Sequence, residues 1–217
     1  MRMRKKKNLP ARLERVSGYI IAFPAENRGR WHEFSGGRPI HLEIGCGKGR
    51  FICETAKENP DVFFIAFEKI SNVLITALER AAAEELDNLR FINRDAAILP
   101  EYFDKNEVSR IYLNFSDPWP AARHTKRRLT SEGFLKIYRS ILKPEGNIYF
   151  KTDNSALFEF SITEFERCGW LLSEVTRDLH GDGLDGGVMT EYEERFCSMG
   201  IPIKRLVARP TAEEVGQ

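Results

Sequence analysis

IHLEIGCGKGRF, residues 40–51, decides the architecture. Ile40, Leu42 and Ile44 make a short apolar run of strand character, and glycines then stand at alternate positions 45, 47 and 49. From Arg50 to Lys57 the pattern turns helical. A buried strand entering a helix through a tight turn is the repeating unit of open α/β sheets, whose ligands bind beyond the carboxyl ends of the strands. Glycine lets the backbone take the turn and lets a ligand approach it closely.

The same alternation continues downstream. Asp61–Phe67 (DVFFIAF) is apolar without a two-residue period, as in a strand covered on both faces. Residues 72–86 predict a helix with Val73, Leu74, Ala77, Leu78, Ala81 and Ala82 on one stripe and Glu79 facing outward. Strands are expected at 89–93, 109–115 and 147–152, with a helix starting near Thr130 or Ser131, both good cap residues. Lys143-Pro-Glu-Gly146 has turn chemistry, and a helix follows Asn154. Residues 170–175 and 201–208 read as two last strands separated by a Gly-rich loop, 179–189, and a short helical TEYEERF. The expected fold is α/β with a mainly parallel seven-stranded sheet and an antiparallel edge. It divides into a basic N-terminal arm and lead-in, 1–38, and a main domain, 39–217.

Apolar content is 42%, ordinary for a globular protein, and no run reaches membrane-span length. The longest early apolar stretch, 19–23, is too short for a signal peptide, so the expected location is cytoplasmic. Net charge is +1, from 33 cations and 32 anions. That neutral total hides two basic clusters, one in residues 1–15 and one made by Arg123, Lys126, Arg127 and Arg128 with His124 beside them. Such clustering is compatible with nucleic-acid binding. Cys46, Cys53, Cys168 and Cys197 form no C-x-x-C pair and keep no ligand spacing with histidine, so neither a metal site nor a disulfide framework is expected.

The glycine loop can be tested against known types. The dinucleotide fingerprint needs a third glycine where Arg50 stands. The phosphate-cradling loop fails because Leu42 and Gly49 occupy its first-glycine and Ser/Thr positions. What remains, an acid followed by G-x-G-x-G, resembles the loop of S-adenosylmethionine-dependent methyltransferases. Glu68, Asp95 and Asp117 follow the second, third and fourth strands as Glu43 ends the first. Carboxylates on one rim suit ribose hydroxyls, an adenine amine and a cationic cofactor. Asp95 reads equally well as a loop cap.

LEIGCGKG, SDPWPAARHTKRRLT (116–130), FKTDN and TEYEERF, in this order, resemble the bacterial tRNA (guanine-N7-)-methyltransferase family over nearly the whole chain. The resemblance implies a Rossmann-like class I methyltransferase that moves a methyl group from S-adenosylmethionine to N7 of guanine 46 in the tRNA variable region. It implies a cofactor site of Glu43, Gly45, Gly47, Glu68, Asp95, Ala96, Asn114 and Asp117, with Asp117 also catalytic. Substrate contacts carried over are Asp153, Thr190, Glu191, Tyr192 and Glu193, and RNA contacts are Arg123, His124, Thr125, Lys126, Arg127 and Arg128. The family has lysines directly after Asp-Pro-Trp-Pro. Here Ala121 and Ala122 stand there, which leaves Arg123 or Lys126 as substitutes.

Guanine N7 bears a lone pair and no proton, so the chemistry needs alignment rather than a base, and alignment can supply on the order of 7–11 kcal/mol. Asp117 or Asp153 is expected to accept from the Watson–Crick edge of the guanine, which requires a base turned out of its contacts. Trp119 is either a stacking surface or a plug under the loop. A methyltransferase for another RNA or a small molecule is the rival, and a non-enzymatic RNA-binding module would not need the acidic rim. Monomer and homodimer are both open.

Overall fold

The structure is a computed structural model that describes residues 6–211. Its first half runs α1 (Leu9–Arg15), α2 (Trp31–Phe34), β1 (Ile40–Ile44), α3 (Arg50–Glu58), β2 (Phe63–Phe67), α4 (Ser71–Ala83) and β3 (Leu89–Ile92). Next come α5 (Leu99–Tyr102), β4 (Val108–Asn114), α6 (Glu132–Ile141), β5 (Leu142–Thr152) and α7 (Ser155–Arg167). Finally come β6 (Trp170–Thr176), α8 (Glu191–Ser198) and β7 (Lys204–Pro210). The strands form one seven-stranded sheet in the order β3-β2-β1-β4-β5-β7-β6.

Five strands, β3 to β5 across the sheet, run parallel. The reversed strand is β7, which lies antiparallel to both β5 and β6. Burial explains why β7 is interior and β6 outermost: Lys204 to Ala208 are all buried, whereas β6 leaves Leu171 and Val175 exposed.

Alternation along the central strands divides the core between two faces. Phe63, Ile65 and Phe67 pack on one side with Leu135, Tyr138 and Ile141 of α6 and Leu157, Phe158 and Phe165 of α7. Phe64 and Ala66 pack on the other with Phe51 and Ile52 of α3 and Leu74 and Leu78 of α4.

Several boundaries differ from the sequence expectation. Helix α4 stops at Ala83 because Glu85 turns left-handed (φ 51°) and the Leu86 amide folds back onto the Ala81 carbonyl at 3.1 Å. Within it Ile75 is buried, while Val73 faces the ligand cleft. Lys143–Gly146 is an irregularity inside β5, where the pairing with β4 jumps between Val108 and Arg110. Strand β7 lies further along the chain than residues 201–208.

The lead-in is packed onto the domain rather than apart from it. Trp31 has zero exposure and stacks on Phe103 at 4.8 Å. Arg12 of α1 makes a two-pronged pair with Glu79 of α4, at 2.7 and 2.5 Å. The Lys6 ammonium donates to Thr76, so Lys6 and Arg12 are committed to α4 rather than free for RNA. Arg2, Arg4 and Lys5 lie outside the described residues.

Candidate active site

Strands β1, β2 and β4 end on the same edge, and their last residues open into a cleft of about 770 Å³. Glu43, Gly45, Gly47, Glu68, Asp95, Ala96, Asn114 and Asp117 all line it. So do Trp119 and Arg127 from the loop after β4, and Thr190, Glu191, Tyr192 and Arg195 from the start of α8.

Gly45 and Gly47 hold φ of +82° and +59°, and a Cβ built on either meets nothing within 4 Å. The open side of the loop is therefore accessible backbone. Gly49 is different: with φ +78° it begins α3, and a Cβ there would lie 2.4 Å from that of Ala77. Gly49 thus packs α3 against α4, while the first two glycines face the cleft.

Glu43 is 2% exposed. Its Oε1 accepts from the Asn114 amide at 3.0 Å, and its Oε2 is buried with no partner among the described residues. Burial pushes its pKa up to about 7, against the Asn114 hydrogen bond and with help from the Glu68 charge. Glu68 accepts from the Gly47 amide (3.2 Å) and the Ile70 amide (2.8 Å), tying the glycine loop to β2. Burial raises its pKa as well. Asp95 caps a 3-10 turn by accepting from the Ala97 amide at 3.0 Å, so it has a structural job while lining the cleft. Cys46 is raised well above the ordinary thiol value by burial and Cys53 is pushed up to about 12, which leaves no thiolate at this edge.

Asp117 is exposed and makes no hydrogen bond or ion pair with another described residue. Two aromatic residues bracket it, and both adopt left-handed backbone, Phe115 at φ 49° and Trp119 at φ 41°. Such conformations cost about 1–3 kcal/mol each and persist only where the surroundings impose them. The constraints are visible: the Phe115 amide donates to Lys151 O at 2.9 Å, and the Arg128 guanidinium donates to the carbonyls of Pro118 (2.9 Å) and Trp119 (3.1 Å). Arg128 also lies over Phe160. Arg128, expected among the RNA contacts, is a clamp on this turn.

The strip behind it forms a 3-10 turn, Ala122–Arg127. Residues three apart eclipse in such a turn, so His124 and Arg127 share a face. His124 meets the Trp119 ring edge-on at 5.5 Å, and the Arg127 guanidinium sits 4.9 Å over that ring. Arg123, Thr125 and Lys126 do not line the cleft, so Arg127 rather than Arg123 or Lys126 is the strip's cation there. Trp119 is half-buried and lines the cleft.

Two of the expected substrate residues are placed elsewhere. Asp153 is half-buried and is not a cleft wall. Glu193 has zero exposure and pairs with Lys151 and His180 instead of facing the cleft, because it packs beneath α8. Thr-Glu-Tyr-Glu, 190–193, is a Thr-x-x-Glu helix start, a signal missed in the sequence. Thr190 Oγ1 accepts from the Glu193 amide at 2.9 Å.

Helix α8 reaches the glycine loop through ion pairs. Glu191 meets Lys48 (3.4 Å) and Arg80 (3.3 Å), and Glu194 meets Arg50. Arg195, by contrast, lines the cleft with no acidic partner among the described residues. Its i,i+4 spacing from Glu191 was the sequence signal that puts both on one helix face. Phe115, Tyr192 and Phe196 stack nearby with centroids 6.1–6.5 Å apart.

An open α/β sheet with this glycine turn and cleft belongs to the Rossmann-like methyltransferases. Residues 37–206 match the family described as "Putative methyltransferase". The fold resembles that of the 16S rRNA methyltransferase KamB (TM-score 0.61, 16% identity, 84% of this chain and 92% of that one). It equally resembles the antibiotic-resistance methyltransferase Kmr (TM-score 0.60, 17% identity, 86% and 94%). Much nearer in sequence are the tRNA (guanine-N(7)-)-methyltransferases of Bacillus cytotoxicus, 46% identical over 99% of this chain and all of that one, and of Listeria innocua, 49% identical over 96% and 98%. The chain belongs to the tRNA (guanine-N7-)-methyltransferase family.

Proposed function

We propose that this protein transfers a methyl group from S-adenosylmethionine to N7 of a guanine in the variable region of tRNA, with Asp117 at the reacting base. The observation that carries this reading is the continuity of one cleft. It joins the acidic rim at Glu43 and Glu68 to Asp117, Trp119 and two arginines with no acidic partner among the described residues, Arg127 and Arg195.

The residues present suit the cofactor. The Oε2 of Glu43 is a buried polar atom without a partner among the described residues, and the bare backbone at Gly45 and Gly47 leaves room for a bulky group. Glu68 at the end of β2 would hold ribose hydroxyls, and Asp95 with Ala96 would border the adenine. Bound there, S-adenosylmethionine supplies an electrophilic methyl carbon.

The protein's part is orientation. The Asp117 carboxylate accepts from guanine N1–H and the exocyclic amine, which rejects adenine and enriches N7; such charge-assisted bonds contribute about 1.5–3 kcal/mol each. Trp119, held by Arg128 and faced by Arg127, stacks on the extruded base. Arg127 and Arg195 meet phosphates on either side, and Arg123 and Lys126 extend the track along the RNA.

Incubation with an unmodified tRNA transcript and S-adenosylmethionine, followed by nucleoside mass spectrometry, tests the reading. N7-methylguanosine is expected at the variable region. Cofactor binding without that product would transfer the activity to another acceptor. No helix among the described residues is long and apolar enough to cross a membrane.

A further inference from the structure

Lys151, near the end of β5, has a side chain only 5% exposed. Its ammonium lies 3.1 and 3.3 Å from the two carboxylate oxygens of Glu193 and 2.5 Å from the carbonyl of Gly186. Glu193 also meets His180 Nε2 at 3.1 Å. One buried cation therefore holds three pieces: strand β5, the Gly-rich loop 179–189, and the first turn of α8. Gly186 has little room to change, since a Cβ there would meet Leu179 at 3.1 Å and the Lys151 ammonium at 3.4 Å.

A Glu at the third residue of a helix ordinarily turns back to the cap amide. Here that carboxylate is directed into the protein instead, while Thr190 keeps its half of the cap. Removing one member of a buried pair strands the other charge, whereas removing both can be nearly neutral. The consequence for the cleft is direct, because Glu191, Tyr192 and Arg195 of the same helix line it.

Building on the tRNA methyltransferase reading, we infer that Lys151 is a positioning residue for the substrate wall, and that Glu193 is its buried counter-ion rather than a ligand of the guanine. The pair fixes α8 so that Tyr192 and Arg195 meet the RNA. The acids proposed to hold the cofactor, Glu43, Glu68 and Asp95, stand at the ends of β1, β2 and β3, and the pair itself touches none of them.

The test compares the full chain with Lys151→Met, Glu193→Gln and the double variant. Hydrogen exchange of residues 190–198 is read first, since it needs no activity. Each single variant is expected to exchange there about 10-fold faster or more, with the central strands unchanged, and the double variant to return toward wild type. In turnover on a tRNA transcript, each single variant is expected to raise KM about 10- to 100-fold while the calorimetric Kd for S-adenosylmethionine stays within about 2-fold, and the double variant to recover most of the loss. Unchanged exchange in both single variants overturns the inference. So does a double variant as impaired as Glu193→Gln beside a near-normal Lys151→Met, because Glu193 would then act on the substrate itself. Loss of cofactor binding and of a cooperative melt in the single variants also overturns it, by making the pair a support of the whole domain. A wild-type enzyme that forms no N7-methylguanosine would instead sink the functional reading, and the exchange result would still stand.

Discussion

Gly49→Ala probes the closest approach in the cofactor edge. At φ +78° an L-residue pays about 1–2 kcal/mol for left-handed backbone. The new methyl would also lie 2.4 Å from Ala77 Cβ and 2.9 Å from Ala77 Cα, so α3 and α4 must separate. Overpacking of that kind costs about 1–3 kcal/mol. The sum is about 2–5 kcal/mol, which in a domain of this size lowers Tm by about 4–20 °C. Gly47→Ala is the control. Its φ of +59° brings the same backbone cost, but nothing stands within 4 Å of the added methyl. A fall of about 2–8 °C is expected there. The order reverses for ligand: the methyl at 47 projects into the cleft, so Gly47→Ala should lose more affinity for S-adenosylmethionine than its small stability loss accounts for. Thermal melts by circular dichroism and calorimetric titration of the cofactor measure both. A Gly49→Ala protein that melts within a degree or two of wild type would refute the tight α3–α4 contact. Equal cofactor affinity in Gly47→Ala and wild type would refute the close approach of ligand to the loop.

Glu43 gives a pH dependence of defined sign. Its pKa lies near 7 in the folded protein against an ordinary 4.5, so the folded state holds the proton more tightly. That contribution, about 3 kcal/mol, is complete below the ordinary value and is lost as pH rises through 7. The Tm of Glu43→Gln should therefore gain on wild type between pH 5 and pH 8, and parallel curves would count against a protonated buried carboxylate. Arg195→Ala should reduce the slope of log affinity for tRNA against log salt by about 0.7–0.9 and leave cofactor affinity unchanged; an unaltered slope removes Arg195 from the phosphate track. Trp119→Ala should cost about 1–3 kcal/mol in binding of the extruded base, with Trp119→Phe retaining much of it, and tRNA kinetics in which the two variants behave alike would argue against stacking.

The architecture was readable because its signals are local. Glu43, the alternate glycines and the helical run from Arg50 lie within a dozen residues and agree with one another. The four acids stand out because Glu43 lies at the end of its apolar strand and Glu68, Asp95 and Asp117 come within three residues of theirs. What escaped reading depends on partners far along the chain. Glu193 is buried by a lysine 42 residues earlier, and Arg12 is neutralised by Glu79, 67 residues later. A charge strip shows which residues are cationic but not where each side chain turns. Arg128 goes to the Pro118 and Trp119 carbonyls and Arg127 to the ring, a difference set by the pitch of a 3-10 turn. Asp95 was ambiguous in the sequence because its two roles are compatible: it caps a turn and borders the cleft.

Both borders of the sheet are guarded, and this limits how copies of the chain can meet. A free strand edge is a template for another strand. Along β3, Ile20 forms a bridge with Phe91, and the Ile21 amide donates to the Phe91 carbonyl at 2.9 Å, so the lead-in covers that border. Along β6 the ladder breaks between Ser173 and Thr176, where Glu174 turns left-handed (φ 51°) and pairs with Arg205. A kinked, charged border is a poor template. Both borders are thus poor templates for continuing the sheet into a second copy of the chain. A dimer joined β6 to β6 would contradict that conclusion.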